Sequence, residues 1–496
     1  MRERIVAAWP LWSLLVAQAV LTQRWIWRTA PFTDEALYLQ AGHAEWAHWL
    51  HHAPLPDYAS WFSGAPVLYP PLAAAADSAG GLAAARWLSL IIMLATATMV
   101  YLIGSRTFGR TAGVLAALVF AVCGLVVHYG AFATFGPPSL FLLVAATWAA
   151  VRIRGGSVAW LPACAVLLAA ANATKYATLA WDPVVVGIII LHGWRGASWR
   201  AIGRGASVAV TTAVLDLGFV MFGGPTYARG VIVTTIFRSI HWGAPSSAAS
   251  VLARAFTMTG TLVLPAIAGV LISILTRRPP AMTALLGLLV LAAVLAPIEQ
   301  ARIHEVSSLD KNMAYGLPFA AIGAGYALSA GSGWLAQRFA LGAIAGVAAV
   351  IVVVLAVMVS GRYAKVQFRG QGIAAATTVV TAIRQNYRPG TLVLSDGASR
   401  VEQYYLPAIP PFAWVRAYTH TAQQRTRLAD QIRSCLVSVV VMRMSGRTYD
   451  QPYDPAIVRL LNRAGGYKLA TVATYGAFRT AVWKLRSHGR SAGGCR

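Results

Sequence analysis

Apolar stretches of roughly 17–25 residues recur along this chain, each long enough to cross a ~30 Å hydrocarbon core as a helix. Eleven are legible, at about 7–27, 82–104, 112–130, 136–152, 158–174, 176–193, 203–222, 257–275, 281–298, 313–330 and 339–360. In lipid every backbone polar group needs an internal partner, so a chain patterned this way has few folds open to it. Composition agrees. Only 11% of residues are charged, against about 25% in a soluble chain. The expected fold is an all-α polytopic membrane protein of about 11 transmembrane helices, with a small extracytoplasmic α/β C-terminal domain. The first stretch follows Met1-Arg2-Glu3-Arg4 and is trailed by no small-residue cleavage site, so it reads as a retained span.

Charge in the short loops sets the orientation. Arg106 and Arg110, Arg152 and Arg154, Arg195 and Arg200, Arg277 and Arg278, and Arg338 fall in alternate loops. These are the cytoplasmic loops, which puts the N-terminus inside and the C-terminus outside. The expected domains are a membrane domain over 1–360, including an outer loop at 28–81, and an extracytoplasmic soluble domain over 361–496. A further outer segment, 223–254, is aromatic and basic and reads as a partly interfacial amphipathic helix.

The tail is of a different kind. Its apolar runs are short, at 391–395, 437–442 and 477–485, and amphipathic stretches lie at about 371–387, 421–434 and 454–464. Strands alternating with helices suggest a small α/β domain. It carries 20 Lys and Arg against 5 Asp and Glu, a net 20 − 5 = +15 of the chain's +25. Such a surface suits anionic lipid headgroups or an anionic envelope polymer. Nucleic acid is not an expected partner outside a membrane.

Acids are scarce, 16 against 41 basic residues, yet Asp34 and Glu35 stand side by side just beyond the first span. One explanation is local: Thr33 caps a helix whose first turn holds both acids, favoured by the helix dipole. The other is chemical, since a carboxylate at a membrane exit serves as a general base, a metal ligand or a cation partner. Farther on, Leu68-Tyr69-Pro70-Pro71-Leu72 precedes the second span, and its prolines are expected to hold an extended backbone ahead of the helix. Then come Ala84-Ala85-Arg86-Trp87-Leu88-Ser89, the Gly109-Arg110 turn, and Asn172-Ala173-Thr174-Lys175-Tyr176.

Taken in order, these segments resemble the GT-C glycosyltransferases. The nearest set is the protein O-mannosyltransferase-like family 39, with the aminoarabinose transferase of lipid A as a relative. Ser308 to Gly316 resembles a motif of its actinobacterial members. The resemblance implies an enzyme that moves a sugar from a polyprenyl-phosphate donor to an acceptor at the outer face, with inversion. It implies Asp34 as the base and Glu35 as its support. Tyr69, Pro70 and Pro71 become acceptor-loop residues. The implied partners are the lipid-linked sugar, membrane lipids, and a protein, lipid or polysaccharide acceptor. Many relatives carry another acid where this chain reads Ala131 to Ser139, which holds none. A divalent metal site needing both carboxylates is therefore doubtful, and no cofactor is certain.

Cations for the donor phosphate follow. Lys175 ends a span, where an unpaired ammonium is costly unless it snorkels. Arg86 opens the second span and suits either phosphate or Asp77. The loop from Glu299 to Asn312 packs acids and bases between two spans, and Arg302, His304 and Lys311 in it are candidate phosphate ligands. No CxxC spacing, nucleophile elbow or phosphate-binding Gly-Lys loop is present. A lipid or sugar transporter or flippase, and a non-catalytic envelope-assembly scaffold, also fit the spans.

Overall fold

The computed structural model describes residues 2–153, 159–193, 199–237, 246–306, 308–338, 342–368, 373–395, 399–416, 422–445, 455–463, 466–475 and 478–486. The chain forms two compact units. One comprises Met1–Trp27 with Ala41–Lys365; the other comprises Arg28–Gln40 with Val366–Arg496.

The first unit is helical. It contains α1 (Arg2–Ile26), the C-terminal part of α2 (Thr33–His51), α3 (Tyr69–Phe108), α4 (Arg110–Ala121), α5 (Gly124–Tyr129), α6 (Gly136–Arg152) and α7 (Trp160–Thr174). A 3-10 turn (Tyr176–Trp181) leads into α8 (Asp182–Gly193), followed by α9 (Trp199–Thr235), α10 (Ala248–Leu275), α11 (Pro280–Arg302), the short α12 (Leu309–Met313), α13 (Leu317–Arg338) and α14 (Gly342–Phe368). The described residues of the eleven apolar stretches fall on helix, apart from breaks such as the one in the third stretch. Among the described residues, five helical segments are by themselves long and apolar enough to cross a bilayer: 69–108, 176–193, 199–235, 248–275 and 280–302. Large apolar side chains point outward from them, as Val210, Val214, Leu217 and Phe222 do on α9. Lipid tolerates that arrangement and water does not.

Backbone chemistry explains where the helices depart from the pattern. Pro70 and Pro71 lie in the first turn of α3 rather than in extended chain before it. A proline there loses no hydrogen bond and its fixed φ suits the helix. The helix then breaks at Gly80–Gly81, where Gly81 has φ +66°, and resumes into the span. The third apolar stretch breaks at Val122–Cys123 into α4 and α5. α9 kinks at Gly224–Pro225 and continues to Thr235; Arg238, His241 and Trp242 lie outside the described residues. Small residues let helices approach closely. A Cβ on Gly104 would sit 2.9 Å from Gly113 Cα, across the α3–α4 contact.

The second unit holds residues 28–40, including the start of α2, and a five-stranded sheet ordered β2-β1-β3-β5-β4. The strands are β1 (Leu392–Ser395), β2 (Trp414–Arg416), β3 (Val437–Ser445), β4 (Tyr467–Tyr475) and β5 (Phe478–Leu485). β1 runs parallel to β2 and β3, while β3–β5 and β5–β4 are antiparallel. α15 (Ile373–Asn386), α16 (Ser399–Tyr405), α17 (Ala422–Arg433) and α18 (Pro455–Arg463) cover it. The unbroken apolar run of β3 fits a strand buried on both faces. Val440 and Met442 join Trp483, Ile432 and Leu461 on one side. Val439 and Val441 join Val482, Val379 and Ile383 on the other.

Candidate functional site

Asp34 and Glu35 occupy the first turn of α2, which begins at Thr33. Ala36 N–H donates to the Phe32 carbonyl at 3.0 Å and closes that turn. Glu35 is fully buried, while Asp34 keeps part of its surface open. The two acids are thus adjacent in sequence but differ in access. Still within the second unit, Gln40 Nε2 donates to the Arg400 carbonyl at 3.0 Å.

The other candidates belong to the first unit. Lys175 is buried and has extended backbone (φ −153°, ψ 113°) between α7 and the 3-10 turn. The loop before α3 holds this break from one side. Ala65 N–H donates to the Ala173 carbonyl at 2.9 Å, and Tyr176 N–H donates to the Ser63 carbonyl at 3.0 Å. Gly64 lies between them so tightly that a Cβ there would collide with the Thr174 carbonyl.

From the other side a polar cluster holds it. Asn172 Nδ2 donates to Asp182 Oδ2 at 2.9 Å and to Asp216 Oδ2 at 3.0 Å. Its Oδ1 accepts from Thr178 Oγ1 at 2.8 Å, and that hydroxyl also reaches the Lys175 carbonyl at 2.9 Å. Sequence reasoning passed over Asp182 and Asp216. The available signal was Asp216 itself, an acid inside an apolar span.

Arg86 is fully buried. Its Nη1 donates to the Ile26 carbonyl at 2.9 Å, at the end of α1, and its guanidinium lies 5.1 Å from the centre of the Phe132 ring. Asp77 meets His43 Nε2 at 2.7 Å. Tyr69 is buried, with its hydroxyl 3.2 Å from Ser89 Oγ. The Pro70 carbonyl abuts Gly42, and the Pro71 carbonyl accepts from Trp46 Nε1 at 2.8 Å.

In the 299–312 loop, Arg302 makes a two-point pair with Glu299 at 2.8 and 2.7 Å. His304 has φ +57°, and its Nδ1 lies 2.9 Å from the Ser246 carbonyl. The Lys311 carbonyl accepts from the Tyr129 hydroxyl at 2.8 Å. Asp310 is buried, which pushes its carboxyl above the ordinary range, with Lys311 and Arg254 opposing that shift. Near the acid-free 131–139 stretch, Ser139 Oγ lies 2.7 Å from the Tyr315 hydroxyl. Among the described residues no three His, Cys, Asp or Glu side chains converge as metal ligands.

A cleft of about 230 Å³ brings several of these segments together. Its wall takes Ser63 from the loop before α3, Tyr176 and Trp181 from the 3-10 turn, and Thr234 and Thr235 from α9. Leu295, Glu299 and Gln300 from α11, together with Ile303 and Asn312, complete it. Lys175, Arg302 and Lys311 each stand next in sequence to a wall residue. Arg86 and the 69–71 segment contribute nothing to the wall.

The fold these elements define is that of the GT-C glycosyltransferases. Residues 78–217 match the family described as dolichyl-phosphate-mannose-protein mannosyltransferase. Among solved structures it is similar to ArnT from Cupriavidus metallidurans bound to undecaprenyl phosphate, with TM-score 0.59 and 15% identity, covering 96% of this chain and 97% of that one. It is similar to the archaeal oligosaccharyltransferase AglB from Archaeoglobus fulgidus, in complex with an inhibitory peptide and a dolichol-phosphate (TM-score 0.56, 15% identity, 87% and 69% covered). The arabinofuranosyltransferase AftD from Mycobacteria is also similar (TM-score 0.54, 16% identity, 96% and 40% covered). No curated protein sequence matches the chain.

Proposed function

We propose that this membrane protein transfers a sugar from a polyprenyl-phosphate donor to an acceptor hydroxyl at the outer face, with inversion. The observation that carries the proposal is the cleft, built from the loop before α3, the Lys175 break and the 299–312 loop within a GT-C fold. Likeness to a structure bound to undecaprenyl phosphate supports a lipid phosphate as its occupant.

Asp34 takes the proton of the acceptor hydroxyl. The acceptor oxygen attacks the anomeric carbon, and the bond from that carbon to the phosphate oxygen breaks, with both electrons leaving on the phosphate. Glu35, buried in the same helical turn, supports the base. Lys175, Arg302 and Lys311 offset the charge that develops on the leaving phosphate. Arg86 and His304 act as braces, one holding the end of α1 and the other the Ser246 turn. Tyr69, Pro70 and Pro71 fix the start of α3 and through it the acceptor loop. The transporter and scaffold alternatives draw no support from these likenesses.

The test is transfer from labelled undecaprenyl-phosphoryl mannose, glucose or arabinose by membranes containing the protein. Loss of a general base typically costs about 10²–10⁴-fold, so Asp34→Asn is expected to lower product by at least that lower bound. Product formed at the unmodified rate would remove Asp34 from the mechanism.

A further inference from the structure

One end of the β-sheet gathers positive charge. The strand register sets Trp414 of β2, Val393 of β1, Val439 of β3, Lys484 of β5 and Lys468 of β4 in one row across the sheet. Lys484 and Lys468 are therefore direct cross-strand partners, with their side chains on the same face. Like charges opposed in this way destabilise a sheet. Two more cations stand at the same end. Arg486 follows β5, and its N–H donates to the Gly466 carbonyl at 2.8 Å. Arg388, between α15 and β1, reaches the Arg486 carbonyl through Nη2 at 3.5 Å. Arg388, Lys468 and Arg486 are exposed, and Lys484 is half-buried. Among the described residues none of these four cations makes an ion pair. Asp430, in the helix that leads into β3, is already taken up by Arg433 at 3.2 Å.

Apolar side chains protrude from this end as well. Phe412, in the turn that enters β2, is 82% exposed, and Leu436, one residue ahead of β3, is 51% exposed. β1, β2 and β3 run parallel and β5 runs against them, so both residues lie at the end that carries the four cations. An exposed apolar side chain alone is ordinary. Set beside cations that have no acid, it matches what a lipid interface takes: apolar tips enter the boundary between headgroups and acyl chains while Lys and Arg meet the headgroup phosphates. A soluble polyanion would use the cations and leave Phe412 and Leu436 in water.

We propose that this end of the sheet docks on an anionic lipid surface, with Arg388, Lys468, Lys484 and Arg486 on the headgroup phosphates and Phe412 and Leu436 inserted between them. The phosphates then relieve the opposition of Lys468 and Lys484.

The experiment holds the full-length protein in nanodiscs of phosphatidylcholine and adds vesicles, either of phosphatidylcholine alone or of an equimolar mixture with phosphatidylglycerol. Co-flotation reports binding. The unmodified protein is expected to float with the mixed vesicles, not with the neutral ones, and to release them in high salt. Each basic residue near an anionic surface contributes about a fivefold gain, so Lys468→Gln with Lys484→Gln is expected to weaken binding roughly 25-fold. That variant removes an opposed pair, so it is expected to melt no lower than the parent. Phe412→Ser, at a side chain already exposed, is expected to weaken vesicle binding about tenfold. Soluble polyphosphate, held through the cations alone, is expected to be lost with the lysines and kept in Phe412→Ser. Equal flotation with neutral and mixed vesicles, or parental vesicle binding by the lysine variant or by Phe412→Ser, would overturn the proposal. Binding of polyphosphate without binding of mixed vesicles would overturn it too, and would make a soluble polyanion the partner.

Discussion

At the scale of single residues, Asp310 shows how a buried charge makes stability depend on pH. It sits in α12 with 5% exposure, and its Oδ1 has no partner among the described residues. Burial raises its carboxyl above the ordinary value, despite the opposing pull of Lys311 and Arg254. An unfolded Asp titrates near 3.9. Between that value and the raised one the folded state holds more protons than the unfolded state, so stability falls as pH rises through that window. Below pH 4 the protonated side chain costs the fold little. Asp310→Asn keeps the shape and removes the titration. The expected outcome is a variant that melts with the parent at pH 4 and above it at pH 8, because the amide carries no charge to desolvate. Thermal melts in one detergent at the two pH values check this, and a variant less stable at pH 8 would show that the carboxylate has a partner worth more than its desolvation cost.

At the scale of elements, the Lys175 break is held between a loop and a polar cluster, and Gly64 is the tightest point of the hold. Its Cβ would meet the Thr174 carbonyl, so Gly64→Ala must push the loop away from the 173–176 strip. Overpacking of this kind costs about 1–3 kcal/mol. The variant is expected to melt several degrees lower and to weaken binding of undecaprenyl phosphate, because Ser63 and Tyr176 both line the cleft. Gly81→Ala is the comparison. That position has φ +66° but open space around it, so its cost of about 1–2 kcal/mol is backbone strain alone, and lipid binding is expected to stay intact. Equal lipid binding by both variants would mean the loop does not shape the cleft.

Elements of this kind differ in how far the sequence reveals them. The spans, the helix opened by Thr33, and strands β1, β3 and β5 are written as local periodicities. β4 is not, because it is an edge strand with Leu469 and Val472 exposed, and three-residue β2 is too short to carry a pattern. Nor does the candidate site announce itself. Asn172 takes its partners from 10 and 44 residues away, and the cleft wall runs from Ser63 to Asn312. Only packing joins them.

At the scale of the whole molecule, charge and hydropathy together make a claim about sidedness that the fold alone does not. The chain carries +25, yet its short loops divide sharply into arginine-bearing and arginine-poor sets. If the arginine-bearing set is cytoplasmic, the loop before α3 lies outside, and so do the 299–312 loop and the basic tail. The cleft residues Ser63 and Asn312 would then share one side with Asp34, which the proposed chemistry requires. Two exposed positions test this at either end of the membrane domain. Pro54 lies in the loop before α3. Thr276 lies between α10 and α11, beside Arg277 and Arg278, in a turn where Arg277 has φ +51°. Single cysteines at these sites, in a background with the four native cysteines replaced, would be challenged in intact cells with a membrane-impermeant maleimide. Pro54→Cys is expected to label in intact cells, and Thr276→Cys only after the membrane is permeabilised. The reverse pattern would turn the protein over in the bilayer and place the proposed acid on the cytoplasmic side. Labelling of both in intact cells would break the alternation from α3 to α10 and with it the count of spans. On the same alternation Lys175 and the 299–312 cations would share one side of the bilayer, which a single lipid phosphate meeting them all requires.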